Sequence, residues 1–176
     1  MKRSYWIIIV FMLAFFVIGG FLVNVVLNIP KATAPSITAN NVTGPLTFYY
    51  IAVNDNGKSG EKIGCGDSAV MVKTADVTTD NVISSTFARL LSDHNQYYGE
   101  SGLYNVLYNA DLVYVSSSVS GDTVTVYLTG TLNLTGVCDS PRVQAQLEMA
   151  AKAAAGVSKA NIFINSKPLS EVLSLK

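Results

Sequence analysis

The segment DLVYVSSSVSGDTVTVYLTG, residues 111–130, has the clearest secondary-structure pattern in this chain. It contains two β-rich runs, Leu112–Ser118 and Thr123–Thr129, separated by the turn-forming sequence SGD, a pattern typical of a β-hairpin. In the second run, valine and leucine alternate with threonine and tyrosine. Because successive side chains of a strand point to opposite faces, the sequence predicts a hairpin with one buried face and one Thr/Tyr surface.

Two amphipathic helices are predicted, one on each side of this hairpin along the chain. Apolar residues recur at helical spacing in Asp80–Ser92. The second helix is expected to begin at Ser140, because Pro141 suits the first helical position, and to end at Gly156. Each helix has an apolar stripe that must be buried against a sheet.

Three further strands complete the predicted fold: Leu46–Val53, Ser68–Thr74 and Ala160–Asn165. Leu46–Val53 is apolar on both faces, which favours a central strand. The order of elements is then β-β-α-β-β-α-β. This order predicts an α+β fold, in which two helices cover one mixed β-sheet in a two-layer sandwich.

The N-terminal segment predicts a membrane anchor. Residues 6–29 are almost wholly apolar, and no charged residue lies between Arg3 and Lys31. As a helix this segment would measure about 36 Å, enough to cross a hydrocarbon core. The basic residues before it place the N-terminus in the cytoplasm and the rest of the chain outside. The chain therefore divides into an anchor (1–30), a linker (31–45) and an extracytoplasmic domain (46–176).

A cleaved signal peptide is the alternative to an anchor. The sequence Ala32-Thr33-Ala34 has the small-x-small form of a cleavage site, but Pro35 would follow the cut. The apolar run is also longer than the core of most signal peptides. An uncleaved anchor is the favoured interpretation.

Composition excludes several functional classes. Twelve basic residues balance 12 acidic ones, so the chain lacks the positive charge of a nucleic-acid-binding protein. The single histidine, His94, does not suffice for a multi-histidine metal site. No phosphate loop, zinc-protease motif or dinucleotide fingerprint occurs. We therefore expect no cofactor, no metal and no enzymatic activity.

The two cysteines, Cys65 and Cys138, would lie in an oxidising compartment if the predicted topology is right. A structural disulfide is the favoured interpretation. Two buried free thiols are the alternative, whereas a redox-active pair would be expected in a Cys-x-x-Cys arrangement, which is absent.

The polar, aromatic loop after the first helix offers two further candidate sites. His94, Glu100 and Ser101 are the residue types of a hydrolase, but the sequence around the serine lacks the nucleophile-elbow spacing. The loop also holds an aromatic cluster that is a candidate glycan-binding surface through stacking. Its members are Tyr97, Tyr98 and Tyr104.

The domain resembles the GerMN (GerM-type) family of sporulation and spore-germination proteins over about residues 46–175. The resemblance lies in four stretches: LTFYYIAV, STFARLL, DLVYVSSSVSGDTVTVYLTG and CDSPRVQAQLEMAAKAAAGVSKANIFINSKPLSEVL. Two positions depart from the family pattern. Asn165-Ser166 follows the last strand where glycine is usual, and Lys73 stands where arginine is common.

This resemblance implies a non-enzymatic module on the outer side of a bacterial cell membrane, similar in architecture to ring-building domains of envelope machines. Such modules pack against copies of themselves or against other envelope proteins. A role in sporulation does not follow, because the domain also occurs in bacteria that form no spores. A cell-wall polymer, either glycan or peptidoglycan, is the alternative partner, bound through the aromatic cluster of Tyr97, Tyr98 and Tyr104.

Overall fold

The structure, a computed structural model, describes residues 41–174. Its seven strands are β1 (Val42–Ala52), β2 (Glu61–Lys62), β3 (Ser68–Thr79), β4 (Asp111–Ser120), β5 (Thr123–Thr131), β6 (Lys159–Ile164) and β7 (Lys167–Pro168). Its three α-helices are α1 (Val82–Leu91), α2 (Asp139–Ala155) and α3 (Leu169–Ser174), and Gly64–Gly66 forms a short 3-10 turn. Every count here refers to these residues.

The strands form two sheets. The first has the order β1-β3-β2 and is antiparallel, and the second has the order β4-β5-β6-β7. In the second sheet β5 and β6 are parallel, while their outer neighbours β4 and β7 are antiparallel to them. The predicted α+β class is confirmed and the four-stranded sheet is mixed, but the single sheet that we predicted is wrong.

Strand β1 is an edge strand of its sheet, not the central strand that its apolar sequence predicted. It pairs along its length only with β3. Its second face is apolar for another reason: Tyr49 packs beside Ala145 and Met149 of helix α2. Near the end of the strand, Ile51 exchanges two backbone hydrogen bonds with Tyr104 of a distant loop. Helix packing on both faces thus mimics the burial of a central strand.

The two long helices begin and end where local sequence favours it. The Asn81 side chain caps α1 by accepting a hydrogen bond from the backbone N–H of Ser84. Helix α2 begins one residue before the predicted Ser140. It ends at Gly156, whose φ of 66° lies in the left-handed region that favours glycine, as the sequence predicted.

One main core lies between the helices and the two sheets. It combines alternate residues of β1, β5 and β6 with the apolar stripes of α1 and α2. The fully or almost fully buried members include Phe87, Leu90, Val124, Val126, Val143, Leu147, Ala150, Ala151, Ile162 and Ile164. All members of the predicted stripe of β5 are buried, so the alternation in the opening segment correctly predicted the inner face of this sheet.

The first strand starts slightly earlier in the chain than predicted. Strand β1 begins at Val42, inside the segment assigned to the linker. The predicted anchor, residues 6–29, lies outside the described residues. Within residues 41–174, the helices are all too short or too polar to cross a bilayer.

Replacing Gly130 by alanine is predicted to separate β4 from β5. The φ of Gly130 is 120°, and a Cβ atom there would lie 1.8 Å from the carbonyl oxygen of Asp111. We expect Gly130→Ala to lower the free energy of unfolding by about 3 kcal/mol, through backbone strain and the clash together. The control is Gly121→Ala in the hairpin turn, where φ is 56° and the Cβ meets nothing within 4 Å.

For the control variant we expect a loss of about 1 kcal/mol, since only the backbone conformation is strained. Urea denaturation of both variants measures the difference. Equal losses would contradict the assignment of a close strand contact at Gly130.

Candidate functional site

The loop between α1 and β4 contains most of the sequence-predicted site residues, and a buried amide pair fixes its shape. The Asn105 side-chain nitrogen donates to the carbonyl oxygens of Asp93 (2.7 Å) and Asn95 (3.2 Å). Its side-chain oxygen accepts from Nε2 of Gln146 in α2 at 2.9 Å. Both amides are fully buried, and Gln146 Oε1 accepts from the backbone N–H of Val106. The loop is therefore fastened to α2.

The structure divides the three predicted tyrosines between two sides of the loop. Tyr97 and Tyr104 form an antiparallel bridge, and their rings meet edge to face with centroids 6.0 Å apart. The ring of Tyr98 instead stacks on Tyr50 of β1 at 4.7 Å. Because adjacent side chains of an extended segment point in opposite directions, Tyr98 is separated from the other two.

A pocket of about 360 Å³ lies beside Tyr98. The Tyr50 hydroxyl donates to Oδ2 of Asp93 at 2.9 Å. Burial of the hydroxyl is the main cause, and this hydrogen bond the second, of a pKa of Tyr50 well above its usual value. The Asn95 backbone N–H and amide both donate to Asp93 Oδ1. Together with the exposed Arg89, these groups line the pocket and offer donors and acceptors to hydroxyl-rich ligands.

The residues considered for hydrolysis are not joined by hydrogen bonds. Nδ1 of His94 lies 3.3 Å from the carbonyl oxygen of Tyr108. The Ser101 hydroxyl donates to the carbonyl oxygen of Tyr98 at 2.5 Å, and Glu100 is exposed. Within the described chain, His94 and Ser101 thus hold separate backbone contacts instead of the nucleophile–base contact that a triad needs.

The two cysteines lie together, with the Sγ atoms of Cys65 and Cys138 2.06 Å apart in a disulfide. The bond joins the 3-10 turn before β3 to the start of α2. Beside it, Nε of Arg142 contacts Oδ2 of the fully buried Asp67 at 2.7 Å. The other oxygen of Asp67 accepts from the backbone N–H of Asn54. A covalent and an ionic bond therefore fasten the same two segments.

Asp139 completes this polar cluster at the first turn of α2. Burial alone would raise the pKa of its carboxyl, but hydrogen bonds from Thr135 and Gly136, with the charge of Arg142, hold that pKa below its ordinary value. The Arg142 guanidinium lies over the ring of Tyr104 at 5.6 Å. Each member of the cluster is satisfied internally, which is typical of a structural cluster.

The outer face of the four-stranded sheet carries an exposed apolar surface. Tyr127 of β5 and Phe163 of β6 are neighbours in register, and their rings stack at 5.2 Å. On β4, Val113 and Val115 are 57% and 59% exposed. The core-forming residues of β5 point to the opposite side, toward the helices. The predicted Thr/Tyr surface of β5 is confirmed, but the exposed valines of β4 were not foreseen.

Residues 41–174 contain no cluster of three or more metal-ligating side chains. No family model, no curated protein and no solved structure matches the chain. The resemblance to the GerMN family therefore stays a prediction from the sequence.

Removing the disulfide is predicted to destabilise the domain strongly. The bond closes a loop with a sequence separation of 73 residues, so in the chain-entropy model its loss costs about 4 kcal/mol. We expect the free energy of unfolding of the Cys65→Ser/Cys138→Ser variant to be lower than that of the parent by this amount, so that the variant unfolds at a lower urea concentration. Parent protein measured in reductant is the matched control and is expected to approach the variant.

Thiol labelling checks the same bond directly. The folded, unreduced parent is expected to show no reactive thiol. Rapid labelling of both cysteines before reduction, or equal stability of parent and variant, would contradict a structural disulfide.

Proposed function

We propose that this chain is a single-pass protein of the bacterial cell membrane, whose GerMN-like extracytoplasmic domain is a non-enzymatic interaction and assembly module. In this proposal residues 6–29 cross the membrane, the N-terminus is cytoplasmic, and residues 46–176 lie outside. Partners are copies of the protein itself or other envelope proteins.

The observation that carries the proposal is the uncovered outer side of the four-stranded sheet. Helices α1 and α2 cover one face of this sheet. Four side chains lie together on the other face: Tyr127, Phe163, Val113 and Val115. Exposed apolar patches with a polar surround mark protein interaction sites more often than chance surface. Thr125 and Thr129 supply such a surround. An interaction module accounts for this side better than a catalytic role does.

Two further observations support the location. The disulfide between Cys65 and Cys138 suits an oxidising compartment outside the cytoplasm. The uncharged stretch from residue 6 to 29 has the length of a membrane-spanning helix. Both agree with an anchored domain that faces outward.

Site-specific photocrosslinking of the full-length protein in its own membrane tests the proposal. A photoreactive phenylalanine analogue replaces Tyr127 on the outer face of the sheet, where the side chain is 41% exposed. The matched control replaces Tyr97, a tyrosine of somewhat higher exposure, 51%, on the loop between α1 and β4. We expect discrete crosslinked products from position 127, because a partner covers that side, and few from position 97. Mass spectrometry identifies whatever is captured. The absence of protein products at position 127 would overturn the proposal.

Binding of a cell-wall polymer is the second candidate function. The observation that favours it is the pocket beside Tyr98, where a stacked aromatic pair, Asp93, Asn95 and Arg89 line one cavity. Protein–sugar sites commonly combine an aromatic surface with such polar groups.

The tyrosines allow a direct test of polymer binding. Titration of the full-length protein with soluble peptidoglycan fragments is expected to show binding that Tyr98→Ala weakens by about tenfold or more, since about 1.4 kcal/mol of contact is lost. Tyr97→Ala, on the opposite side of the loop, is expected to bind like the parent. Equal effects of the two substitutions, or no binding by the parent, would exclude this pocket as the polymer site.

A further inference from the structure

Each of the two sheets has two outermost strands, and three of these four strands are protected against pairing with another strand. The side of β3 that extends beyond its short pairing with β2 is protected as well, because it carries Lys73 and Asp76. Strand β2 is two residues long and carries Glu61 and Lys62, while β7 is equally short and consists of Lys167 and Pro168. Strand β1 contains Pro45, and the Tyr104 loop covers its other end. Short length, charge, proline and coverage are the devices by which proteins block edge-to-edge association.

Strand β4 is the long outermost strand that lacks both charge and proline over most of its length. It is ten residues long, pairs with β5 on one side, and has no strand on the other. From Leu112 to Ser120 it contains neither a charged residue nor a proline. Its unpaired backbone N–H and C=O groups therefore face outward with only small or apolar side chains beside them.

A bulge at Val115 divides β4 into two parts. The register with β5 shifts between Tyr114 and Ser116, and it then runs regularly from Ser116 to Ser120. Within that regular part Ser116, Ser118 and Ser120 are exposed, and Val119 is 49% exposed. The regular half of β4 is thus solvent-accessible, while the bulge limits how far pairing extends.

We propose that two copies of this protein associate by antiparallel pairing of their β4 edges over Ser116–Ser120, so that one sheet continues across both copies. This inference rests on the proposed assembly function and names its partner. A two-fold axis then passes near Ser118, which lies opposite Ser118 of the second copy, and Ser116 lies opposite Ser120. The arrangement is a self-complementary interface of the kind that closes as a dimer.

The charge pattern favours a second copy as the occupant. In self-pairing, the segment of one copy lies antiparallel to the identical segment of the other copy. Any charged residue in the segment would therefore lie near its own counterpart, and the two like charges would repel. Ser116–Ser120 holds none. The nearest acidic residues, Asp111 and Asp122, lie outside the segment, and Asp122 accepts hydrogen bonds from Ser158 of its own copy.

The proposed interface is small, so its stability depends on confinement of both copies to the membrane. Stable soluble dimers bury about 800 Å² on each partner, and five paired residues cover less. Confinement of both copies to one membrane raises their effective concentration and compensates for a modest contact. We therefore expect association of the anchored, full-length protein at ordinary surface density.

Energy transfer between donor- and acceptor-labelled full-length copies, reconstituted in phosphatidylcholine vesicles, tests the pairing. Ser118→Lys places two like charges opposite each other at the axis, and we expect it to weaken association by about tenfold or more. The matched control is Ala153→Lys, which adds the same charge at an exposed position of helix α2, away from both the β4 edge and the outer face of the sheet. This control is expected to associate within about twofold of the parent.

A charge-reversal mixture makes the test specific. Ser118→Glu alone is expected to lose association like Ser118→Lys, whereas an equal mixture of the two variants regains it because opposite charges then meet at the axis. Undiminished transfer for both single variants, or equal loss in Ala153→Lys, would overturn edge pairing. If the parent shows no self-association while position 127 still captures another protein, this inference fails and the proposed function stands.

Discussion

Helix α2 is buried from two sides and links the two sheets. Its stripe of Val143, Leu147, Ala150 and Ala151 packs into the main core against the four-stranded sheet. Its neighbouring stripe packs under β1 and β3 through Ala145 and Met149. The alanines allow strands to approach the helix closely, so one helix serves both sheets. Without it, both sheets would lose much of the surface that covers their inner faces.

Polar groups on the same helix determine how the connecting segments lie. Gln146 fixes the loop after α1, and Arg142 contacts Asp67 next to the disulfide. Taking such groups out of water costs energy that their mutual contacts largely offset, so their main contribution is to select one arrangement over others. These contacts position the pocket beside Tyr98 and the start of α2.

The packing leaves the domain with two unlike sides. Toward α1 and α2 most apolar strand residues are buried, while on the outer side Tyr127 and the valines Val113 and Val115 are exposed, Phe163 is partly exposed, and the β4 edge is free. A sheet that is covered on one face and open on the other has surface available for a partner without any change in its own core. This asymmetry is the physical basis of the proposed assembly role.

Alternation in β5 and helical periodicity in α1 and α2 determined the class of the fold, because a strand's face and a helix's stripe depend on local spacing alone. The sequence could not determine which strands share a sheet, since β1 has the apolar pattern of a central strand yet owes it to helix α2. Nor could it separate Tyr98 from Tyr97 and Tyr104, or reveal Gln146 as a buried contact of Asn105. Those features join residues far apart in the chain, and only the tertiary structure brings them together.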